Sequence, residues 1–118
     1  VTVVAEGGTV TTNLQQGLCK TWISFNGTGT IATRDSFNTT SISDNGTGNY
    51  TVTLTNAMAN SNWSAFLQAD LNDTAGSIYN LNPDIHSIAT GSYGVGTYAA
   101  DNFGDLAFIR SGLLGDLA

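Results

Sequence analysis

The sequence predicts an all-β fold, a single-domain antiparallel β-sandwich or jelly-roll-like arrangement. Charged residues make up only 10% of the 118 residues, and Thr, Ser, Asn and Gly take their place, which favours strands and turns over helix. Several segments alternate apolar and polar residues, and bends rich in Asn and Gly separate them. The length fits one domain, so residues 1–118 are treated as one β domain, with 1–18 as an N-terminal arm or connector.

The clearest hairpin lies in residues 41–55, "SISDNGTGNYTVTLT". Tyr50, Val52 and Leu54 share one face, which is expected to be core, and the threonines between them share the other face. The bend runs from Asp44 to Gly48 and is followed by a strand. A phosphate-binding loop would lead into a helix N-terminus, so the glycines here are predicted to form a turn.

Other strands are predicted around "VTVV" at the start, around "CKTWISFN" and over Ala107 to Leu114. The segment around "NWSAFLQ" is interpreted as a strand filled on both sides, although a helical turn is conceivable there. Both tryptophans, Trp22 and Trp63, are expected to pack in the core. Residues 69–103 are interpreted as variable loops or short outer strands.

The charge balance excludes several classes of partner. Three basic residues stand against nine acids, for a net charge of −6, so nucleic acid and anionic membrane surfaces are not expected to bind. The longest apolar runs fall far short of about 18 residues, so no membrane insertion is expected. Cys19 is the only cysteine; without an internal disulfide, a small domain needs either a core that is sufficient by itself or help from oligomerisation, and oligomerisation is the favoured interpretation.

The chemically reactive residues do not form a recognisable catalytic pattern. His86 has Asp84 two residues earlier, which could orient a base, but a loop histidine is the favoured interpretation. One cysteine and one histidine are too few for the usual four ligands of zinc. Asp70, Asn72 and Asp73 form only part of a calcium-loop pattern. We therefore predict a non-enzymatic protein with no catalytic residues, no cofactor and no metal. A small glycosidase remains a third possible class. Its two catalytic carboxyl groups are recognised by the distance between them in the folded protein, which the sequence does not give.

Aromatic side chains are the remaining candidates for a binding surface. Exposed Tyr faces flanked by Asn and Asp are typical of sugar recognition in β domains. Tyr79, Tyr93 and Tyr98 are the candidate surface or glycan contacts, and the last two lie among glycines.

Residues 19–63 contain four sequence motifs in a specific order: "KTWISFNGTGT", "RDSFN", "SISDNGTGNYTV" and "AMANSNW". This run resembles a module of small structural proteins of tailed bacteriophages, which are described as tail-fibre or virion structural proteins. The resemblance implies a β-rich component of the virion surface, often trimeric, and supplies no catalytic residues.

Two virion roles follow from the resemblance: a capsid decoration (cement) protein or a tail-fibre tip. The implied partners are the major coat protein or tail proteins, sister copies in a homotrimer and, at a fibre tip, a host surface glycan. The implied location is the surface of the capsid or tail, after assembly in the bacterial cytoplasm. The alternative function is a carbohydrate-binding module that uses Tyr79, Tyr93 and Tyr98.

Overall fold

The computed structural model describes residues 1–70, 83–99 and 102–118. The strands in this part of the chain are β1 (Thr2–Val4), β2 (Thr11–Asn13), β3 (Cys19–Asn26), β4 (Ala32–Phe37), β5 (Thr39–Asp44), β6 (Asn49–Leu54), β7 (Ser64–Asp70), β8 (Asp84–His86), β9 (Ser92–Gly96), β10 (Tyr98–Ala99), β11 (Asn102–Phe103) and β12 (Phe108–Leu114). One helical turn, α1, spans Leu14–Gly17.

Eight of these strands form two four-stranded antiparallel sheets. The first sheet has the order β4-β3-β12-β7 and the second has the order β5-β6-β9-β8. Two small ribbons, β1 with β2 and β10 with β11, lie outside them. The prediction of an all-β antiparallel sandwich is confirmed.

The core lies between the two sheets, because alternate residues of each sheet point inward. Phe25 of the first sheet meets Tyr50 of the second edge to face, with ring centroids 5.2 Å apart. The hydroxyls of Tyr93 and Ser111 join the sheets by a buried hydrogen bond of 2.8 Å. The buried apolar residues are Ile23, Phe25, Tyr50, Val52, Leu54, Met58, Tyr93, Val95, Leu106, Ile109 and Leu113.

The strongest local predictions are confirmed. Residues 39–54 form a hairpin of β5 and β6, and its predicted core face is buried. The "NWSAFLQ" segment is strand β7, although it is an edge strand whose Phe66 is 45% exposed, so its outer side is not filled. The final predicted strand is β12, which lies in the middle of the first sheet.

One part of the 69–103 region differs from its interpretation as loops or short outer strands. Strand β9 lies between β6 and β8, and its Tyr93 and Val95 are fully buried. The sequence "SYGVG" is therefore an alternating strand whose outward positions are glycines. Glycine normally indicates turns and weakens strand patterns, which concealed the alternation.

Trp22 corrects a second expectation. It is half-buried and lies on the face of β3 opposite Ile23 and Phe25, outside the core. Trp63 does pack against the core: its ring meets Tyr93 edge to face at 5.8 Å, and its indole N–H donates to the Ala89 carbonyl at 3.0 Å. The two tryptophans therefore have different roles.

Within residues 1–70, 83–99 and 102–118, the one helical element is α1, a single turn that the residue pattern did not predict. Asn13 caps it: the Asn13 side-chain oxygen accepts a hydrogen bond of 2.9 Å from the Gln15 amide. No helix in the described residues has the length and apolar character needed to cross a membrane.

The chain passes from the first sheet to the second at Asn38, which has a positive φ of 55°. The Asn38 amide group donates to the carbonyls of Lys20 (3.0 Å) and Asn56 (3.1 Å), and its oxygen accepts from the Asn56 amide at 2.8 Å. Asparagine tolerates the left-handed conformation better than other residues with a Cβ atom. This residue therefore fixes the corner between the sheets.

Replacing Asn38 is expected to destabilise the fold in two steps. Asn38→Gly keeps the positive φ but loses the hydrogen bonds, which costs about 1–2 kcal/mol. Asn38→Ala is expected to lower the free energy of unfolding by about 1 kcal/mol more, because alanine disfavours the left-handed conformation. Urea unfolding of both variants measures the difference. Equal stability of the two variants would show that the backbone conformation at this corner is not the constraint.

Candidate docking surfaces

The N-terminal arm, residues 1–18, is the first candidate functional surface. Strands β1 and β2 pair only with each other, around a turn in which Gly7 has a φ of 69°. All 18 residues are exposed. The arm therefore adds nothing to the core of the sandwich.

The arm is unusually apolar for an exposed segment. Val1 is 91% exposed and Val10 is 75% exposed, and Glu6 is the one charged side chain among residues 1–18. The hairpin forms an apolar groove lined by Val3, Val4, Ala5, Val10, Thr11 and Thr12. Exposed apolar surface of this kind is typical of interaction sites.

The arm is tied to the sandwich at its base. The buried Lys20 ammonium donates to the carbonyl of Leu18 at 2.7 Å and also to the carbonyl of Gln15. The Gln16 side-chain amide donates to the Asp116 carboxylate. These contacts hold the last turn of the arm, while the hairpin beyond it stays exposed.

The second candidate surface is on the outer face of the first sheet, where three aromatic side chains form a row. Trp22 of β3 lies beside Phe37 of β4 on one side and Gly112 of β12 on the other, and Gly112 lies beside Phe66 of β7. Phe37 is 54% exposed and Phe66 is 45% exposed. We call Phe37, Trp22 and Phe66 the aromatic row.

Gly112 allows the row to be continuous. A Cβ atom at this position would collide with the Phe66 ring and lie 2.7 Å from the Thr21 carbonyl oxygen. The Phe66 ring therefore lies over the Gly112 backbone, on the side of β12 that also carries Trp22 in the next strand. A side chain at position 112 would displace Phe66 from the row.

Both arginines of the chain lie next to the row on the same face. The guanidinium of Arg34 stacks 4.3 Å from the Phe108 ring centroid, and that of Arg110 lies 5.4 Å from it. Arg34 also donates to the Ala107 carbonyl at 2.5 Å. Asp35 and Asp70 occupy positions in the neighbouring rows of the sheet. This face therefore carries two positive and two negative groups, whereas the rest of the chain has seven acids and one lysine.

The turn at residues 44–48 has a structural role. The Gly46 amide donates to the Asp44 carboxylate at 3.0 Å, and the Asn45 side chain donates to the Thr51 hydroxyl at 2.7 Å. The Gly48 amide donates to Asp105 at 2.8 Å. These three donors of the turn are thus bonded to the protein itself, which is consistent with the prediction of a plain hairpin turn.

The three candidate tyrosines separate into different environments. Tyr93 is 1% exposed and belongs to the core, so its prediction as a surface contact is wrong. It points inward because it alternates with outward-facing glycines in β9. Tyr98 is half-buried in β10. Tyr79 lies outside the described residues.

Tyr98 lies near His86 and Asp84 on the outer side of the second sheet. A Cβ atom built at Gly96 would lie 3.6 Å from the His86 ring, 3.7 Å from Asp84 and 3.8 Å from the Tyr98 ring. His86 belongs to strand β8 and its ring covers Gly94, so the interpretation as a loop histidine is wrong. The ring nitrogen Nδ1 lies 3.0 Å from the Ser87 hydroxyl.

Among the described residues, no three metal-binding side chains are grouped closely enough to hold an ion. Asp70 ends strand β7. The other two residues of the partial calcium pattern, Asn72 and Asp73, lie outside the described residues. Cys19 is a half-buried free thiol whose sulfur lies 3.0 Å from the Thr21 carbonyl oxygen.

Two core tyrosines have raised pKa values. Burial raises the pKa of Tyr93 to about 12. Burial also raises the pKa of Tyr50, and the nearby Asp105 carboxylate, 2.7 Å from the hydroxyl, raises it further. Both side chains are therefore neutral wherever the protein is folded at ordinary pH.

The raised pKa of Tyr93 predicts a loss of stability in alkali. Below about pH 10, the hydroxyl is protonated in both the folded and the unfolded chain. Above that pH the unfolded chain ionises first, so the free energy of unfolding falls by about 1.4 kcal/mol per pH unit until the folded pKa is reached. Urea unfolding between about pH 9 and pH 12 measures the slope, and Tyr93→Phe is expected to remove this contribution. An unchanged slope in that variant would contradict the prediction.

No protein-family model matches the chain, and no curated protein and no solved structure is detectably similar to it. Function is therefore inferred only from the surfaces of the chain itself and from the sequence motifs in residues 19–63.

Proposed function

We propose that this chain is a non-enzymatic structural protein of a bacteriophage particle, acting on the particle surface as a capsid decoration protein or tail-fibre tip and assembling as a trimer. The observation that supports an assembly role is the concentration of apolar side chains outside the core, in the arm and in the aromatic row. Trp, Phe and Arg are the residues that dominate protein interfaces. The assignment to a bacteriophage particle is based on the resemblance of the sequence motifs in residues 19–63.

The rest of the described surface is consistent with a passive scaffold. The outer positions of the second sheet are mostly small and neutral, such as Ser41, Thr51, Thr53, Ser92 and Gly94. Side chains of this kind keep an exposed sheet hydrated without charge. An assembly protein with such a body makes its contacts through the arm and the aromatic row.

Capsid and tail binding distinguish the two virion roles. Purified protein is added to capsids and, separately, to tails that lack it, and the bound copies are counted after sedimentation. A decoration protein is expected to saturate capsids and raise their melting temperature, whereas a fibre tip is expected to bind tails. Absence of binding to both would contradict the proposal.

A matched pair of variants tests the surface used in assembly. Phe37→Ser is expected to weaken association between copies at least tenfold, because it removes an exposed aromatic side chain from an interface. Thr53→Ser, on the outer face of the second sheet, is expected to leave this association unchanged. Equal association of both variants would exclude the aromatic row from assembly of the oligomer.

A carbohydrate-binding module is the second candidate, supported by the approach of Tyr98, His86 and Asp84 around Gly96. A ring, a carboxylate and an imidazole over a glycine floor provide stacking and hydrogen bonding for a sugar. Tyr98→Ala is expected to abolish glycan binding if this candidate is correct, while Thr53→Ala serves as the control. A glycan array that gives no signal with the unmodified protein would exclude it.

The non-enzymatic part of the proposal has its own test. The protein is incubated with a broad panel of polysaccharides, and reducing ends are measured over time. We expect no turnover; release of sugar above the background of a heat-unfolded sample would assign the chain to the glycosidase class.

A further inference from the structure

The hairpin of the N-terminal arm lacks the packing that a stable hairpin needs. Val1, Val3, Val4 and Val10 are 91%, 42%, 56% and 75% exposed. A two-stranded hairpin by itself is marginally stable in water, and it becomes stable when its apolar face packs on another surface. The arm is therefore expected to have an apolar partner in its working state.

The aromatic row offers a surface of matching size. Phe37 and Phe66 are separated by three strand spacings, or about 14 Å. The four residue steps from Val1 to Ala5 span about 13 Å when extended. The row is exposed on the same molecule whose arm is exposed, so each chain presents both halves of a contact.

Charge favours a second copy as the partner. The chain carries a net charge of −6, so two copies repel each other over most of their surfaces. The face around the row is the exception, because Arg34 and Arg110 balance Asp35 and Asp70 there. Another copy can approach this face without net repulsion.

Arg110 of a second copy is the candidate partner for Glu6, the single charge of the arm. Arg110 lies two residues along β12 from Gly112 in the row, or about 7 Å. Glu6 lies two residues beyond Val4, so it is within a similar distance of the apolar part of the arm. When the arm valines contact the row, Glu6 can therefore lie beside Arg110.

We propose that the N-terminal arm of one copy docks on the aromatic row of a second copy, with Glu6 placed beside Arg110 of that copy. The contact is head to tail, because the arm and the row are different surfaces. Head-to-tail contacts close into a ring when the rotation between copies permits it, and a ring of three gives the trimer. The inference rests on the proposed self-association and not on the proposed virion target.

The experiment measures the mass of the full chain in solution as a function of concentration, by sedimentation. Glu6→Arg and Arg110→Glu are each expected to weaken association at least tenfold, and the double variant is expected to recover most of the loss, because the pair is restored with reversed signs. Asp84→Arg is the control: it makes the same charge change as Glu6→Arg, but on the second sheet, and is expected not to weaken association. Thermal unfolding of each variant checks that the monomer is folded.

A second pair of variants does not depend on the sheet. Val4→Asp is expected to dissociate the oligomer because it places a charge in the apolar groove of the arm, while Thr9→Asp in the turn of the arm is expected to leave it assembled. Neither residue belongs to the core, so folding is preserved. Trp22 adds an optical readout, since its fluorescence is expected to change on association in the wild type and not in Val4→Asp.

Two results would overturn the proposal, and a third separates it from the proposed virion target. An oligomer unaffected by Val4→Asp and Glu6→Arg means that copies associate without the arm. A chain that is monomeric at micromolar concentrations, but whose capsid binding is lost in Val4→Asp, means that the arm docks on the coat protein. Capsid binding that fails while the arm-dependent oligomer persists refutes the virion target and leaves this inference intact.

Discussion

Phe25→Ala is expected to lower the free energy of unfolding by about 4 kcal/mol, the range found for removing a buried aromatic ring. Phe25 is fully buried, and its ring meets Tyr50 edge to face at 5.2 Å across the two sheets. The variant loses the burial of the ring and leaves a cavity between sheets that cannot collapse around it. Urea unfolding with far-ultraviolet circular dichroism measures the loss.

Phe37→Ala is the control for this prediction. It removes the same side chain from the outer face of the same sheet, where Phe37 is 54% exposed. The expected loss in the monomer is no more than about 1 kcal/mol, because little apolar area returns to water. Comparable losses in the two variants would contradict the assignment of the core to the space between the sheets.

Gly48→Ala is expected to cost on the order of 3 kcal/mol. Gly48 has a φ of 66°, and a Cβ atom there would collide with the Thr97 carbonyl and lie 2.9 Å from the Gly104 amide nitrogen. These are backbone atoms, so they cannot move aside without disturbing the hydrogen bonds from Thr97 to Gly48 and from Gly104 to Thr97. The Gly48 amide is also bonded to Asp105. Thermal and urea unfolding measure the effect.

Gly29→Ala separates the two causes. Gly29 has a similar φ of 60° but has no other atoms within 4 Å of the added Cβ. Its replacement is expected to cost about 1 kcal/mol, for the left-handed conformation alone. If both variants lose the same amount, the close approach at Gly48 is not what requires glycine there.

The arm and the aromatic row give the protein an uneven distribution of apolar surface. The outer face of the second sheet is mostly threonine and serine, with Gly94 covered by the His86 ring, whereas the first sheet presents Trp22, Phe37 and Phe66 to solvent. A monomer with this distribution exposes an apolar patch, and such patches on soluble proteins usually mark interaction sites. Association between copies through the arm would cover both surfaces at once.

Local alternation predicted much of the fold correctly. In the hairpin, Tyr50, Val52 and Leu54 are buried as their period of two requires, and the Asn-Gly bend forms the expected turn. Strand β3 has Ile23 and Phe25 in the core for the same reason. These features depend on neighbours in sequence, so one segment contains the information for each of them.

The aromatic row could be found only in part from the sequence. Alternation places Trp22 opposite Ile23 on β3, which is a signal that it faces outward. Trp22 and Phe66 fall in the same cross-strand row only because strand β12 lies between β3 and β7. Such pairing joins residues far apart in the chain and is decided by how the sheets pack.

By itself, the sequence determined that the chain is all-β, which faces of the clearest strands are apolar, and where the Asn-Gly bend between β5 and β6 falls, because backbone preference and side-chain alternation act over a few residues. The tertiary structure decided that Tyr93 is buried, that β9 is an inner strand, and that three distant aromatic residues share one exposed surface. Those outcomes depend on which strands become neighbours, since that choice decides which face of each strand is covered.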